Sequence, residues 1–375
     1  MNILYIFGFQ YSLKLWKESG AIEREFAFFH RLSELEDIKF TLITYGDFED
    51  FDILNQSNIT IVPIFSLYKK TNSKILTFLY SVFLPFKLYK NLLNIDLVKT
   101  NQLTGSWVAI LFSKLLKKPL YLRTGYDAYL FAKNSGKSFN KKLFFYQLTK
   151  LSYKFSSIYS VTSKSDYKHL IENFKFNEEK LKYRPNWVFT HTENKAFQTR
   201  SKDLLSVGRL EKQKNFSMLL DYLENTSFSL DIVGKGSLKN LLIEKSKKSH
   251  VDLKIIEPMS YFELNNLFEN YKYFILPSIY EGNPKVLLEA MSHGCIPIAS
   301  DIDNHREIIN HTENGFLFDI NNKNSLIKIF ELLNNIELCE KISLSAAETI
   351  IKHFSFEKSI RQELEDYKKL NLNIY

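Results

Sequence analysis

Short apolar runs alternate with stretches of helical period twice over in this chain, and that alternation leaves few folds open to it. In the first half, strands are expected at 2–7, 40–44, 59–63, 97–99, 120–122 and 158–161. The first helix between them carries Ile22, Phe26, Phe29 and Leu32 on one side, and others follow near 74–92, 105–116, 139–154 and 165–173. The second half repeats the pattern with strands at 204–207, 229–233, 253–256, 273–276, 296–299 and 316–318, each followed by a helix. Three helical segments close the chain, the last around 356–370. Alternation of this kind builds right-handed βαβ units on a parallel sheet, and 375 residues exceed one ordinary core. The expected class is therefore α/β, with two doubly wound domains at 1–190 and 191–355. A closing helix over 356–375 is expected to pack back on the first. Residues 185–200, PNWVFTHTENKAFQTR, have few aliphatics and no clear period, and read as the linker.

Composition narrows the class further. With 45% hydrophobic and 25% charged residues the chain is globular. Its two cysteines, Cys295 and Cys339, form no metal-binding or disulfide framework and suit a reducing compartment. A strand expected from Asn2 on leaves no leader peptide to expect, and no apolar stretch approaches a bilayer span.

The stretch 271–294, YKYFILPSIYEGNPKVLLEAMSHG, carries the most chemistry. It reads as a buried strand, a break at Pro277-Ser278, a turn through Gly282, and a helix with Asn283 as cap and Pro284 in its first position. Val286, Leu287, Ala290 and Met291 form the apolar face, and Gly294 ends the helix. Glu281 and Glu289 bracket the turn, eight residues apart. Free N–H groups at a helix start attract an anion, and an acid on either side accepts bonds from hydroxyls. That combination suits a sugar phosphate. Taken alone, a loop charge and a solvated helix residue would be the plainer reading of the two acids.

Other residues fall where a doubly wound sheet binds ligands, beyond the carboxyl ends of its strands. Arg209 follows the first strand of the second half and Lys214 comes just before a helix; two cations there would neutralise a diphosphate. The next strand ends in VGKGS, a glycine turn that lets the chain pass close to a ligand. Asp301 and Asp303 spell a DxD pattern without supporting acids, and the acidic run Asp47, Glu49, Asp50, Asp52 reads as a solvated loop. No metal is expected.

The segments SVGRLEKQKNFSMLL, DIVGKGSLKNLL, ILPSIYEGNPKVLLEAMSHGCIPIASD and ENGFLF, in this order and spacing, resemble the retaining glycosyltransferases of family 4. That resemblance implies the GT-B fold, two Rossmann-like domains facing across a cleft. It implies a nucleotide-sugar donor, a UDP- or GDP-sugar, as substrate, with no cofactor. Carried over, Arg209 and Lys214 would bind the donor diphosphate and Glu281 the sugar hydroxyls. Asn283, Lys285 and Val286 would face phosphate or sugar, Glu289 would accept from the ribose, and Met259 would lie beside the base. Gly20 stands where the family has its glycine-rich acceptor loop. The family often places a histidine after the strand at 119–122. Here Arg123-Thr124-Gly125-Tyr126-Asp127 has none, leaving Arg123 and Asp127 as polar candidates. The implied reaction is retaining transfer of a sugar to a glycan, lipid-linked in surface polysaccharide or glycoconjugate assembly. A nucleotide-sugar 2-epimerase, a glycogen or sucrose synthase-like enzyme and a non-catalytic subunit of a membrane complex remain rivals.

Charge is uneven. Residues 1–190 hold 27 Lys and Arg against 16 Asp and Glu, whereas the rest holds 23 against 26. In 76–90 and 137–155 lysines interleave with aromatics, which fits either a surface resting on an anionic leaflet or ordinary sheet-covering helices. No pattern for nucleic acid occurs. A cytoplasmic enzyme, peripheral on the inner face of the membrane, is the expected setting.

Overall fold

The computed structural model describes residues 1–20, 22–54, 57–190 and 193–372. They divide into two units, one formed by Met1–Arg184 with the chain from Ile360 on, the other by Pro185–Ser359. The division falls a few residues before the expected 190.

In the first unit seven parallel strands, β1 (Asn2–Ile6), β2 (Lys39–Thr44), β3 (Ile59–Pro63), β4 (Leu97–Thr100), β5 (Leu120–Thr124), β6 (Ile158–Val161) and β7 (Leu181–Tyr183), lie in the order β3-β2-β1-β4-β5-β6-β7. Helices α1 (Leu13–Glu18) and α2 (Ile22–Leu35) follow β1. The short α3 (Ile64–Leu67) and α4 (Lys74–Leu88) follow β3, and α5 (Ser106–Leu116) follows β4. Then come α6 (Ala128–Asn134), α7 (Phe139–Phe155) and α8 (Lys164–Phe174). β7, α1 and α6 were not expected, being too short for a pattern of period 2 or 3.6 to declare itself.

The second unit has six parallel strands, β8 (Lys202–Val207), β9 (Leu230–Val233), β10 (Leu253–Ile256), β11 (Tyr271–Leu276), β12 (Ile296–Ser300) and β13 (Phe316–Phe318), in the order β10-β9-β8-β11-β12-β13. Its helices are α9 (Phe216–Leu223), α10 (Lys239–Lys248), α11 (Tyr261–Phe268), α12 (Lys285–Ser292), α13 (Asp303–Arg306), α14 (Lys323–Leu332) and α15 (Ile336–His353). The last helix, α16 (Phe356–Leu372), starts in this unit and joins the first from Ile360 on. The strands read as unbroken apolar runs because both faces are covered. Tyr273 and Ile275 of β11 enter one core cluster, Phe274 and Leu276 the other.

Two stretches that read as loop carry buried polar anchors: Glu49 and Asp52 of the acidic run are exposed as expected, but Asp50 is not. In the acidic run Asp50 is buried and its carboxylate accepts from Leu13 N at 3.2 Å, Lys14 N at 3.1 Å and Thr44 Oγ1 at 2.6 Å, so it ties α1 to β2. In the linker Trp187 and Val188 are buried, and Arg200 is among the largest fully buried side chains. The Arg200 guanidinium donates to the carbonyls of Lys195, Tyr271 and His293, which satisfies a charge the interior would otherwise reject.

The first unit also buries an ionic knot. Lys99 of β4 pairs with Glu363 of α16 and donates to Tyr367 Oη at 2.6 Å. The rings of Tyr5, Phe28, Tyr121 and Tyr367 stand 5.2–5.8 Å from its ammonium. Burial, then the like charge of Arg123, pushes the Lys99 pKa well down. Beside it Arg184 grips both oxygens of Asp366 at 2.8 and 2.7 Å. These contacts fasten α16 to the sheet.

Candidate functional site

In the second unit the strand order reverses between β8 and β11, and the loops leaving those two neighbours hold Arg209, Lys214, Glu281 and Asn283, whereas Lys285, Val286 and Glu289 lie on α12 and Met259 follows β10. After β8 the chain makes a turn of 3-10 helix at Lys212–Lys214 and passes through Asn215 in left-handed conformation, φ 56°, which asparagine tolerates. That geometry directs Lys214 inward, where it is 9% exposed. Its Nζ donates to Glu281 Oε1 at 2.5 Å, and Ser278 Oγ donates to the same oxygen at 2.7 Å. Gln213 stitches the loops a second time: its carbonyl accepts from Ile279 N at 2.9 Å and its Nε2 donates to Tyr280 O at 2.8 Å. Arg209 lies on the exposed side and donates to Gln213 Oε1 at 3.2 Å.

The glycines here serve the approach of backbone to backbone. A Cβ on Gly234 would lie 1.9 Å from the Gly208 carbonyl oxygen, and one on Gly236 2.5 Å from that of Leu210. The VGKGS turn was expected to let the chain approach a ligand; what it does is let the loops after β8 and β9 touch.

Around the β11–α12 turn, one expectation is corrected. Pro284, not Asn283, is the cap of α12, and no side chain caps that end. Asn283 instead grips the chain at Asn186: its Oδ1 accepts from Asn186 N at 3.1 Å and its carbonyl from Asn186 Nδ2 at 2.7 Å. Its own Nδ2 is buried without a partner among the described residues. With Pro284 at the cap position, Asn283 lies outside the helix and its side chain makes this contact far along the chain instead. Glu289, on the second turn of α12, is 2% exposed and so is no solvated helix residue. Lys285 Nζ stands 5.9 Å over the Trp187 ring, while Val286 and Met259 pack on the apolar cluster beneath α12.

Behind the turn, Ser300 Oγ donates to Ser278 O at 2.5 Å, and His305 Nδ1 sits 2.8 Å from Ser300 O. His305 is fully buried, and burial pushes its pKa down to about 4. Ser278, Gln213, Ser300 and His305 were not singled out from the sequence. Only the three-residue step from Ser278 to Glu281 could have signalled one of them. Asp301 and Asp303 of the DxD pattern both bind Arg306.

The acceptor-side candidates lie in the first unit, Gly20 just after α1 and Arg123 and Asp127 around the end of β5. Gly20, φ 66°, closes α1 by donating from its N–H to Lys17 O at 3.1 Å. Arg123 is buried at the end of β5, its Nη2 donating to Arg184 O at 3.2 Å. Asp127 caps α6, accepting from Leu130 N at 2.7 Å, and burial raises its pKa. Arg123 and Asp127 are thus taken up by the interior. The reversal of strand order in this unit lies between β1 and β4 instead. There the Gln102 side chain fills the space beside Gly8, where a Cβ would meet its Oε1 at 1.7 Å. The neighbouring Asn101 Oδ1 is buried with no partner among the described residues.

Comparison with known proteins agrees with this layout. Residues 188–349 match the family model described as Glycosyl transferases group 1. The chain is 28% identical to an uncharacterized glycosyltransferase of Methanocaldococcus jannaschii, over 91% of this chain and 92% of the relative. It is 26% identical to the N-acetylgalactosamine-N,N'-diacetylbacillosaminyl-diphospho-undecaprenol 4-alpha-N-acetylgalactosaminyltransferase of Campylobacter jejuni, over 58% of this chain and 62% of that one. Among solved structures, Anabaena HepE in complex with UDP superposes with TM-score 0.75 at 16% identity, over 98% of this chain and all of the other.

Proposed function

We propose that this chain, whose residues 188–349 match the family model described as Glycosyl transferases group 1, moves a sugar from a nucleotide diphosphate to a growing glycan with retention of configuration. The single observation that carries the donor assignment is the Lys214–Glu281 pair at the point where strand order reverses. Its side chains are 11% and 9% exposed, so the pair is dry enough to act strongly and open enough to meet a ligand.

Breaking the bond between sugar and diphosphate leaves positive charge on the ring and negative charge on the departing phosphate. Lys214 turns from Glu281 to that phosphate, with Arg209 beside it. Glu281, still held by Ser278, accepts bonds from sugar hydroxyls. The unpartnered Asn283 Nδ2 is a ready donor to the same ligand, and Glu289 takes the ribose. No nucleophilic carboxylate is assigned in this reading, and attack from the face of the leaving phosphate is favoured. In this reading two side-chain cations, Lys214 and Arg209, neutralise the diphosphate, and transfer needs no metal. The UDP bound by HepE supports a uridine donor, and the diphospho-undecaprenol acceptor named for the Campylobacter relative supports a lipid-linked glycan. Gly8, Asn101 and Gln102 of the first unit are the proposed acceptor contacts.

A thermal-shift screen of UDP-, GDP- and ADP-sugars tests the donor. A true donor at about 100 times its Kd stabilises by about 3 kcal/mol. Silence with all three would refute the assignment. Incubation with the donor alone separates transfer from epimerisation, since an epimerase yields a new sugar nucleotide without acceptor.

A further inference from the structure

Helix α4 is turned inside out. Its inward positions include Thr77, Ser81 and Pro85 beside Leu84 and Leu88. The polar ones are satisfied locally: Thr77 Oγ1 donates to Ser73 O at 2.9 Å, and Ser81 Oγ accepts from Trp107 Nε1 of α5 at 3.1 Å. Its outward face carries Ile75, Phe78, Leu79, Phe83 and Phe86, of which Ile75 is 74%, Phe83 59% and Phe86 62% exposed. A helix that covers a sheet in water shows the opposite pattern. No charged residue stands between Lys74 and Lys87, so nothing polar interrupts that face. Helix α7, on the far side of α5 in the same layer, adds Phe139 and Phe144, 75% and 47% exposed.

Charge chooses the occupant. Residues 53–95 hold five lysines and no acid, and 53–165 hold seventeen Lys and Arg against only Asp96 and Asp127. Asp127 is buried, and Asp96 is half-buried and accepts from Asn2 N at 2.8 Å. Lys70 is neutralised by Asp47 and Lys87 is drawn to Leu67 O, whereas Lys69, Lys74 and Lys90 stand exposed around the apolar face. A second copy of the chain would set this cationic border against itself across a two-fold axis. A surface apolar in depth and anionic at its rim fits it. We infer that the outward face of α4, bordered by Lys69, Lys74 and Lys90, docks on an anionic lipid surface and sinks its aromatics into the headgroup boundary. Among the described residues no helix is long and apolar enough to cross a membrane, in keeping with a helix that lies on one. This surface is read from the first unit alone and does not depend on the donor chemistry of the second.

The full-length chain is sedimented with vesicles of equimolar phosphatidylglycerol and phosphatidylcholine, and with phosphatidylcholine alone. Binding to the anionic vesicles is expected at low salt, with release at high salt. The double variant Phe83→Ser/Phe86→Ser should bind about tenfold or more weakly while its thermal midpoint and its response to donor stay put. Lys74→Glu should lose about fivefold or more, and only at low salt. The inference is overturned by failure of the wild type to sediment at low salt, or by unchanged binding of the double variant. It is equally overturned if light scattering finds a dimer that the double variant abolishes, since the face would then belong to a second copy.

Discussion

Lys99 pairs with Glu363 in the first unit and Lys214 with Glu281 in the second, yet their surroundings differ in every respect that matters. The first pair is sealed, its side chains 1% and 4% exposed, with four aromatic rings around the ammonium. The second sits between two loops at strand ends, about a tenth exposed, among neighbours that bond through backbone and small polar groups. A sealed pair cannot change partners, because every alternative would strand a buried charge. It can only hold α16 in register with β4. A pair at the lip of a sheet can exchange one ion for another at little cost, which is what binding a phosphate demands.

Cutting the sealed pair should give the largest effect. Lys99→Met is expected to lower unfolding free energy by about 3–5 kcal/mol, read by denaturant titration. The double change Lys99→Met/Glu363→Leu should restore most of it, since apolar packing replaces a pair that stabilises little on its own. Failure to recover would mean the knot does more than fasten α16. The open pair should behave in the opposite way. Lys214→Ala is expected to reduce turnover by about 10²–10³ with little change in the unfolding transition, and adding Glu281→Leu should recover nothing. Near-normal transfer by Lys214→Ala would remove the pair from the chemistry.

A third measurement probes the support behind Glu281. His305 titrates at about 4 in the folded chain against 6.5 when exposed, so between these values the unfolded chain binds more proton. Stability is therefore full above pH 6.5 and falls as pH drops toward 4, by about 3 kcal/mol in all. His305→Gln should flatten that slope between pH 6.5 and 5; an unchanged slope would place the buried proton elsewhere. The smallest effect is expected at Arg306→Ala, which releases the exposed DxD carboxylates. Stability should move by no more than about 0.5 kcal/mol, and a chelator should leave transfer unchanged in wild type and variant alike; loss of transfer on chelation would return the DxD pair to the chemistry.

Much of the frame was legible beforehand. The strands at 59–63, 158–161, 253–256 and 316–318 occupy the expected residues, because alternation and turn residues are local and the sheet only selects among them. Lys214, Glu281 and Glu289 could be placed for a similar reason, since each stands at a fixed step from a strand end or helix start. Asp50 and Arg200 could not, for they bond to Leu13 and Tyr271, 37 and 71 positions away, which no local period connects.

By itself, then, the sequence determined two parallel-sheet units and the loops that would carry an anion in the second. Tertiary structure decided which charges are sealed and which stay open. Lys99 in LVKT and Lys214 in KQKN look alike as residues. What separates them is a tyrosine 268 positions away in one case and a glutamate 67 away in the other. It also decided which side of α4 faces the sheet, against the preference of its own hydropathy. Periodicity states which residues share a face; only the neighbours brought across the fold determine whether that face meets protein or the outside.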